Sequence, residues 1–108
     1  MAERRNSNMR LIQKIVHHMY DTLGEVESYY TDYLDYKDTY PEVASVALEM
    51  ANTHLKLYMK WHEAVKALIK KSGTEVPQTM LDIWAYEHKR LQEEYDEYKY
   101  KLATVNTM

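Results

Sequence analysis

Apolar residues recur along this chain at alternating gaps of four and three. The first run is Ile12, Val16, Met19, Leu23, Val26, Tyr30 and Tyr33, a heptad spacing that keeps one stripe of a helix apolar. Asn6, Ser7 and Asn8 stand upstream as N-cap candidates. Gly24 falls off the stripe, where it costs a helix roughly 1 kcal/mol against alanine and permits a bend. The pattern breaks at residues 38–41. Pro41 does not belong deep in a helix, and Thr39 followed by Glu42 reads as a capping box. The spacing then resumes as Val43, Ala47, Met50, His54, Leu57, Trp61, Ala64 and Leu68. Lys70 and Lys71 suit the negative end of that helix, and Gly73 supplies a stop. After SGTEVP, with Pro77 in the first turn, a third stripe runs Leu81, Trp84, His88, Leu91, Tyr95, Tyr98 and Leu102.

Three such stripes joined by short connectors predict an all-α fold. It is an antiparallel up-down-up three-helix bundle with helices over about 8–37, 41–71 and 77–103. The chain reads as a single domain over 1–108, with 1–6 and 104–108 as frayed ends. The middle helix has apolar residues to spare. One position along from its first stripe lies a second, Ala44, Leu48, Ala51, Leu55, Tyr58, His62, Val65 and Ile69. The same shift in the other two helices lands on polar residues. A surplus apolar arc either packs more deeply on both neighbours or meets a second copy. The expectation is a homodimer through helix 2, with Ala44, Leu48, Ala51, Leu55, Tyr58 and His62 at the interface.

Folding the helices back on one another separates charge. One end collects Glu25, Glu27, Asp32, Asp35, Asp38, Glu42, Glu93, Glu94, Asp96 and Glu97, against Lys37, Lys99 and Lys101. The other end holds Arg4, Arg5, Arg10, Lys14, Lys56, Lys60, Lys66, Lys70 and Lys71. The acidic end also gathers tyrosines, in a chain with 11 tyrosines and no phenylalanine. Tyr30, Tyr33, Tyr95 and Tyr98 sit on stripes, where each buries a ring and keeps its hydroxyl at the rim. Tyr29, Tyr36, Tyr40 and Tyr100, with Asp32 and Asp35, are left to contact something outside. Tyrosine supplies large contact area at low entropy cost, and surrounding carboxylates suit a basic protein surface while repelling nucleic acid. The basic end reads as ordinary solubilising charge.

Composition narrows the alternatives. Cysteine is absent, so disulfides and thiolate sites are excluded and a reducing, cytoplasmic setting fits. The start, MAERRNSN, lacks the apolar stretch of a signal peptide, and no apolar run is long enough to span a membrane. Five histidines invite a metal reading. His17 or His18, His62, Glu87 and His88 fall at one height, but Glu-x-x-His and His-Glu-x-x-His are both missing, and His62 and His88 lie on different stripes. No nucleophile triad or phosphate loop is present, so no enzyme activity, metal or cofactor is expected. The reading is a non-enzymatic adaptor or inhibitor that binds a basic macromolecule, of a kind that fits accessory proteins of phages or mobile elements. The alternatives are a nucleotide or other small ligand in a Tyr/His-lined dimer cleft, reached by Lys60 and Lys66, or a histidine-based metal bundle.

Overall fold

The computed structural model describes residues 2–73 and 76–106, with side chains from Met9 onward. Three helices follow in order: α1 (Ala2–Tyr36), α2 (Pro41–Ser72) and α3 (Gln78–Asn106). No strand occurs among the described residues. None of the helices is long and apolar enough to cross a membrane. The helices form a rod with extents of 57, 20 and 17 Å. α1 packs mostly against α2, and α3 lies along the pair. Ring contacts mark the alignment. Tyr29 of α1 meets His54 of α2 at 5.3 Å, and His18 stacks on Trp61 at 5.1 Å. Between α2 and α3, Tyr58 stacks on Tyr95 at 4.9 Å, and Asn106 donates to the amide oxygen of Asn52 at 3.0 Å.

The helix ends differ from expectation in three places. α1 already runs from Ala2, so Asn6, Ser7 and Asn8 lie inside it rather than capping it. α3 continues to Asn106, past the expected end near residue 103. The Thr39–Glu42 capping box does not form. Tyr40 takes the N-cap position with no side-chain cap bond, and Pro41, whose ring presets the helical φ, opens the first turn. The Tyr40 N–H instead donates back to the Tyr36 carbonyl at 2.8 Å, which closes the turn between the helices. Gly73 ends α2 as expected. Its φ of 56° lies in the region glycine alone adopts cheaply, and its N–H returns to the Ile69 carbonyl. Thr74 and Glu75 of the second connector, and residues 1, 107 and 108 of the expected frayed ends, lie outside the described residues, as do the side chains of Arg4 and Arg5.

The core is built from Ile12, Ile15, Met19, Leu23 and Val26 of α1, with Leu91, Tyr95, Tyr98 and Leu102 of α3. Ile15 replaces the expected Val16, which is half-buried. Near its start α3 turns Met80 inward, beside Val76, while Leu81, Trp84 and His88 are only half-buried. The largest correction concerns α2. Its buried residues are Ala44, Ala47, Ala51, Leu55, Tyr58, His62 and Val65. The second stripe, expected to face another copy, is therefore the interior of this chain, with Leu48 half-buried beside it. Of the first stripe only Ala47 is buried: Val43 and Leu57 are exposed, and Met50, His54 and Trp61 are half-buried.

Gly24 sits on the exposed side of α1, and a Cβ added there meets no atom within 4 Å. Gly24→Ala is expected to stabilise the protein by about 0.5–1 kcal/mol through helix propensity and a less free unfolded chain, read as a raised urea midpoint.

Candidate functional site

Two features carry polar chemistry, an aromatic–histidine stack inside the rod and a set of grooves at the acidic end. The stack arises because α2 and α3 each turn a ring-bearing stretch toward the other. His62 and His88 stack at 4.6 Å between centroids, Trp84 lies on His88 at 5.1 Å, and Tyr58 flanks His62 at 6.4 Å. The two histidines, on different stripes, were not expected to face each other. They do, with Nε2 to Nε2 at 2.7 Å.

Such a contact needs one proton, donated by one ring to the lone pair of the other. The Glu63 carboxylate, which only accepts, lies 3.4 Å from His62 Nδ1. At this separation His62 Nδ1 makes no hydrogen bond, and the Tyr58 hydroxyl also finds no partner in the protein. The tautomers of the two imidazole rings decide which one donates. Burial, then the neighbouring His62 and Lys66, hold His88 below the usual imidazole value. His17 faces away and pairs with Asp21, and His18 is stacked on Trp61. The histidines are therefore divided between separate contacts. Among the described residues no group of three His, Asp or Glu is placed to hold a metal ion.

At the acidic end the expected partner-binding residues do not form one patch. Tyr29 and Asp32 line a groove between α1 and α2 of about 400 Å³, floored by Val43, Val46 and Ala47 and rimmed by Asp32 and Glu42. Tyr36 and Tyr40 pack edge to face at 6.0 Å beside the turn, and Asp35 is exposed near them. Tyr100 lies across α1, in a smaller groove with Tyr30, Tyr33, Leu34, Lys37 and Lys101. Of the stripe tyrosines, Tyr30 and Tyr33 are only half-buried. Tyr95 and Tyr98 bury their rings, and Tyr30 bridges Tyr33 at 6.5 Å and Tyr98 at 6.2 Å. Lys101 sits over the Tyr98 ring and donates to Glu97 at 2.8 Å, so its charge is spent internally. On the same side, burial and then Glu27 and Glu97 push the Glu94 carboxyl up.

Of the six residues expected at a dimer interface, Ala44, Ala51, Leu55, Tyr58 and His62 are buried in this chain and Leu48 is half-buried. A Tyr/His-lined cleft between copies loses its walls for the same reason. Lys66 instead lines a groove between α2 and α3 with Lys70, Leu81 and Trp84, and Lys60 is exposed. Glu42, Val43 and Val46 were not singled out as site residues. Only Val43 carried a signal, as a member of the first apolar stripe of α2; Val46 lies on neither stripe. Comparison with family models, curated proteins and solved structures returns no match.

The histidine pair sets a pH dependence. His88 titrates lower in the folded protein than its ordinary 6.5, so between the two values the unfolded chain binds more protons. Its contribution to stability is full above pH 6.5, is lost as pH falls below that, and levels off only beneath the folded value. Urea midpoints between pH 8 and pH 5 are expected to decline accordingly, and His88→Leu to flatten the decline. Tyr58→Phe removes a buried hydroxyl without a partner and is expected to be neutral or stabilising by up to about 1 kcal/mol in the same measurement.

Proposed function

We propose that this chain is a non-enzymatic interaction protein of the reducing cytoplasm that accepts a basic, apolar-faced helix of a protein partner at its tyrosine-rich acidic end. The observation that carries this is the α1/α2 groove, an apolar floor of Val43, Val46 and Ala47 between Tyr29, Asp32 and Glu42. An amphipathic helix presenting leucines flanked by lysines matches both parts. Its apolar face covers the valines, and its ammonium groups reach the carboxylates. Tyr29 is held by its ring contact with His54, so little side-chain freedom remains to be lost on binding. Asp35, Tyr36 and Tyr40 extend the contact toward the turn. Tyr100, on the other side of α1, lies outside it.

The topology that supports this reading is an antiparallel up-down-up bundle, consistent with Tyr29 meeting His54, Tyr58 meeting Tyr95 and Tyr30 meeting Tyr98. The mechanism is occupancy. The protein masks or bridges a basic helix and performs no bond chemistry.

The test is fluorescence anisotropy with a fluorescein-labelled amphipathic Leu/Lys helical peptide, beside a Leu/Glu peptide of the same pattern. The Leu/Lys peptide is expected to bind with an affinity that falls as salt rises. Asp32→Lys and Val46→Glu should each weaken it about tenfold or more while far-ultraviolet circular dichroism is unchanged. Tyr86→Ala, exposed on α3, should leave it intact. Equal binding of the Leu/Glu peptide, or wild-type affinity in both groove variants, overturns the reading.

A further inference from the structure

α2 has apolar residues on two adjacent stripes; the fold buries most of one and Ala47 of the other, and leaves Val46, on neither stripe, outside. What remains outside is Val43 at 52% exposure, Val46 at 60% and Leu57 at 38%, with Met50 half-buried between them. Steps of three, four and seven residues keep these side chains on one line of the helix, the spacing of a coiled-coil stripe. Charge along the same face is ordered. Glu42 and Glu49, both exposed, flank its first half, and Lys56 and Lys60, also exposed, flank its second. Glu42, Glu49 and Lys56 are seven residues apart and share one edge of the stripe.

We infer that the occupant of the α1/α2 groove is a second copy of this chain, docked by the outer face of its own α2 across a twofold axis near Met50. The inference rests on the reading of the groove given above and names its partner. A twofold reverses one α2 against the other. It carries Val43 to the partner's Leu57 and lets Glu42 and Glu49 reach the partner's Lys56 and Lys60. A face with an acidic half and a basic half is self-complementary under that operation alone. The parallel arrangement sets acid beside acid and lysine beside lysine. Asp32 and Tyr29 of α1 stand at the acidic half, so the partner's Lys60 enters between Asp32 and Glu42 while the partner's Leu57 covers Val46. Each groove is thus completed by residues of the other copy. The rod is also thin, 20 by 17 Å across, and small domains of this kind gain from burying a further apolar face.

The experiment uses the full chain in native mass spectrometry and sedimentation equilibrium, with two charge-reversed forms. One carries Glu42→Lys and Glu49→Lys, the other Lys56→Glu and Lys60→Glu. The wild type is expected to be dimeric in the micromolar range. Each reversed form should dissociate at least about tenfold more readily, and an equimolar mixture should recover a heterodimer. Recovery on mixing also shows that both forms fold. A monomeric wild type at high micromolar concentration overturns the inference. In that case, Leu/Lys peptide binding that is lost in Asp32→Lys leaves the groove reading standing, and absence of such binding removes both. A dimer that persists in both reversed forms and in Val46→Glu lies on another face, and overturns the inference too.

Discussion

Ala44, Ala47 and Ala51 place three small side chains in a row on the inner side of α2, and the close approach to α1 that they permit governs the rest of the molecule. A helix turns only one stripe fully inward, and the alanine stripe brings Leu55, Tyr58, His62 and Val65 in with it. The same rotation carries Val43, Val46 and Leu57 out to solvent. Burying the alanines exposes less bulk at the helix contact but leaves more apolar surface on the outside, which is the opposite of what side-chain size alone favours. The balance is met farther along. Large residues of α2 find equally large partners there, Tyr58 against Tyr95 and His62 against His88. The groove at the acidic end and the histidine pair inside the rod are two consequences of one rotation.

The same geometry accounts for tyrosine in place of phenylalanine. A rod 17 to 20 Å across has no point far from water, so a ring that packs on the core reaches the rim with its far edge. A phenol suits that position, since the ring is buried and the hydroxyl stays wet or paired. Tyr20 donates to Glu87, and burial followed by that bond pushes its value up to about 12. Tyr95 and Tyr98 carry lysines over their rings. Tyr58 is the departure, because it lies at the centre where no rim is within reach, and burial raises its pKa without any partner for the hydroxyl. Most of the tyrosines are therefore structural. The exposed ones are Tyr36 and Tyr40 beside the first turn and Tyr86 and Tyr100 on α3.

Much of this was readable beforehand. The stripe of α1 holds through Val26, that of α3 from Leu91 to Leu102, and the breaks at Pro41 and Gly73 fall where backbone chemistry requires them. Tyr29 and Asp32, expected to contact something outside, are half-buried and line the α1/α2 groove. Other parts were not readable. The first half of α3 has weak apolar periodicity, so whether Met80 or Leu81 turns inward depends on what Val76 and α1 present. Glu42, Val43 and Val46 gain their significance only when the other stripe of α2 is buried.

Local rules decided the helices, their number and the stops at Pro41 and Gly73, because these depend on gaps of three and four, on a proline without an N–H, or on a glycine free to adopt positive φ. The rotation of α2 about its own axis does not. Its two apolar stripes have identical spacing and lie about 100° apart, so no property of α2 taken alone distinguishes them. The selection is made by fit between whole faces, small against close, large against large. That fit exists only when three helices are assembled.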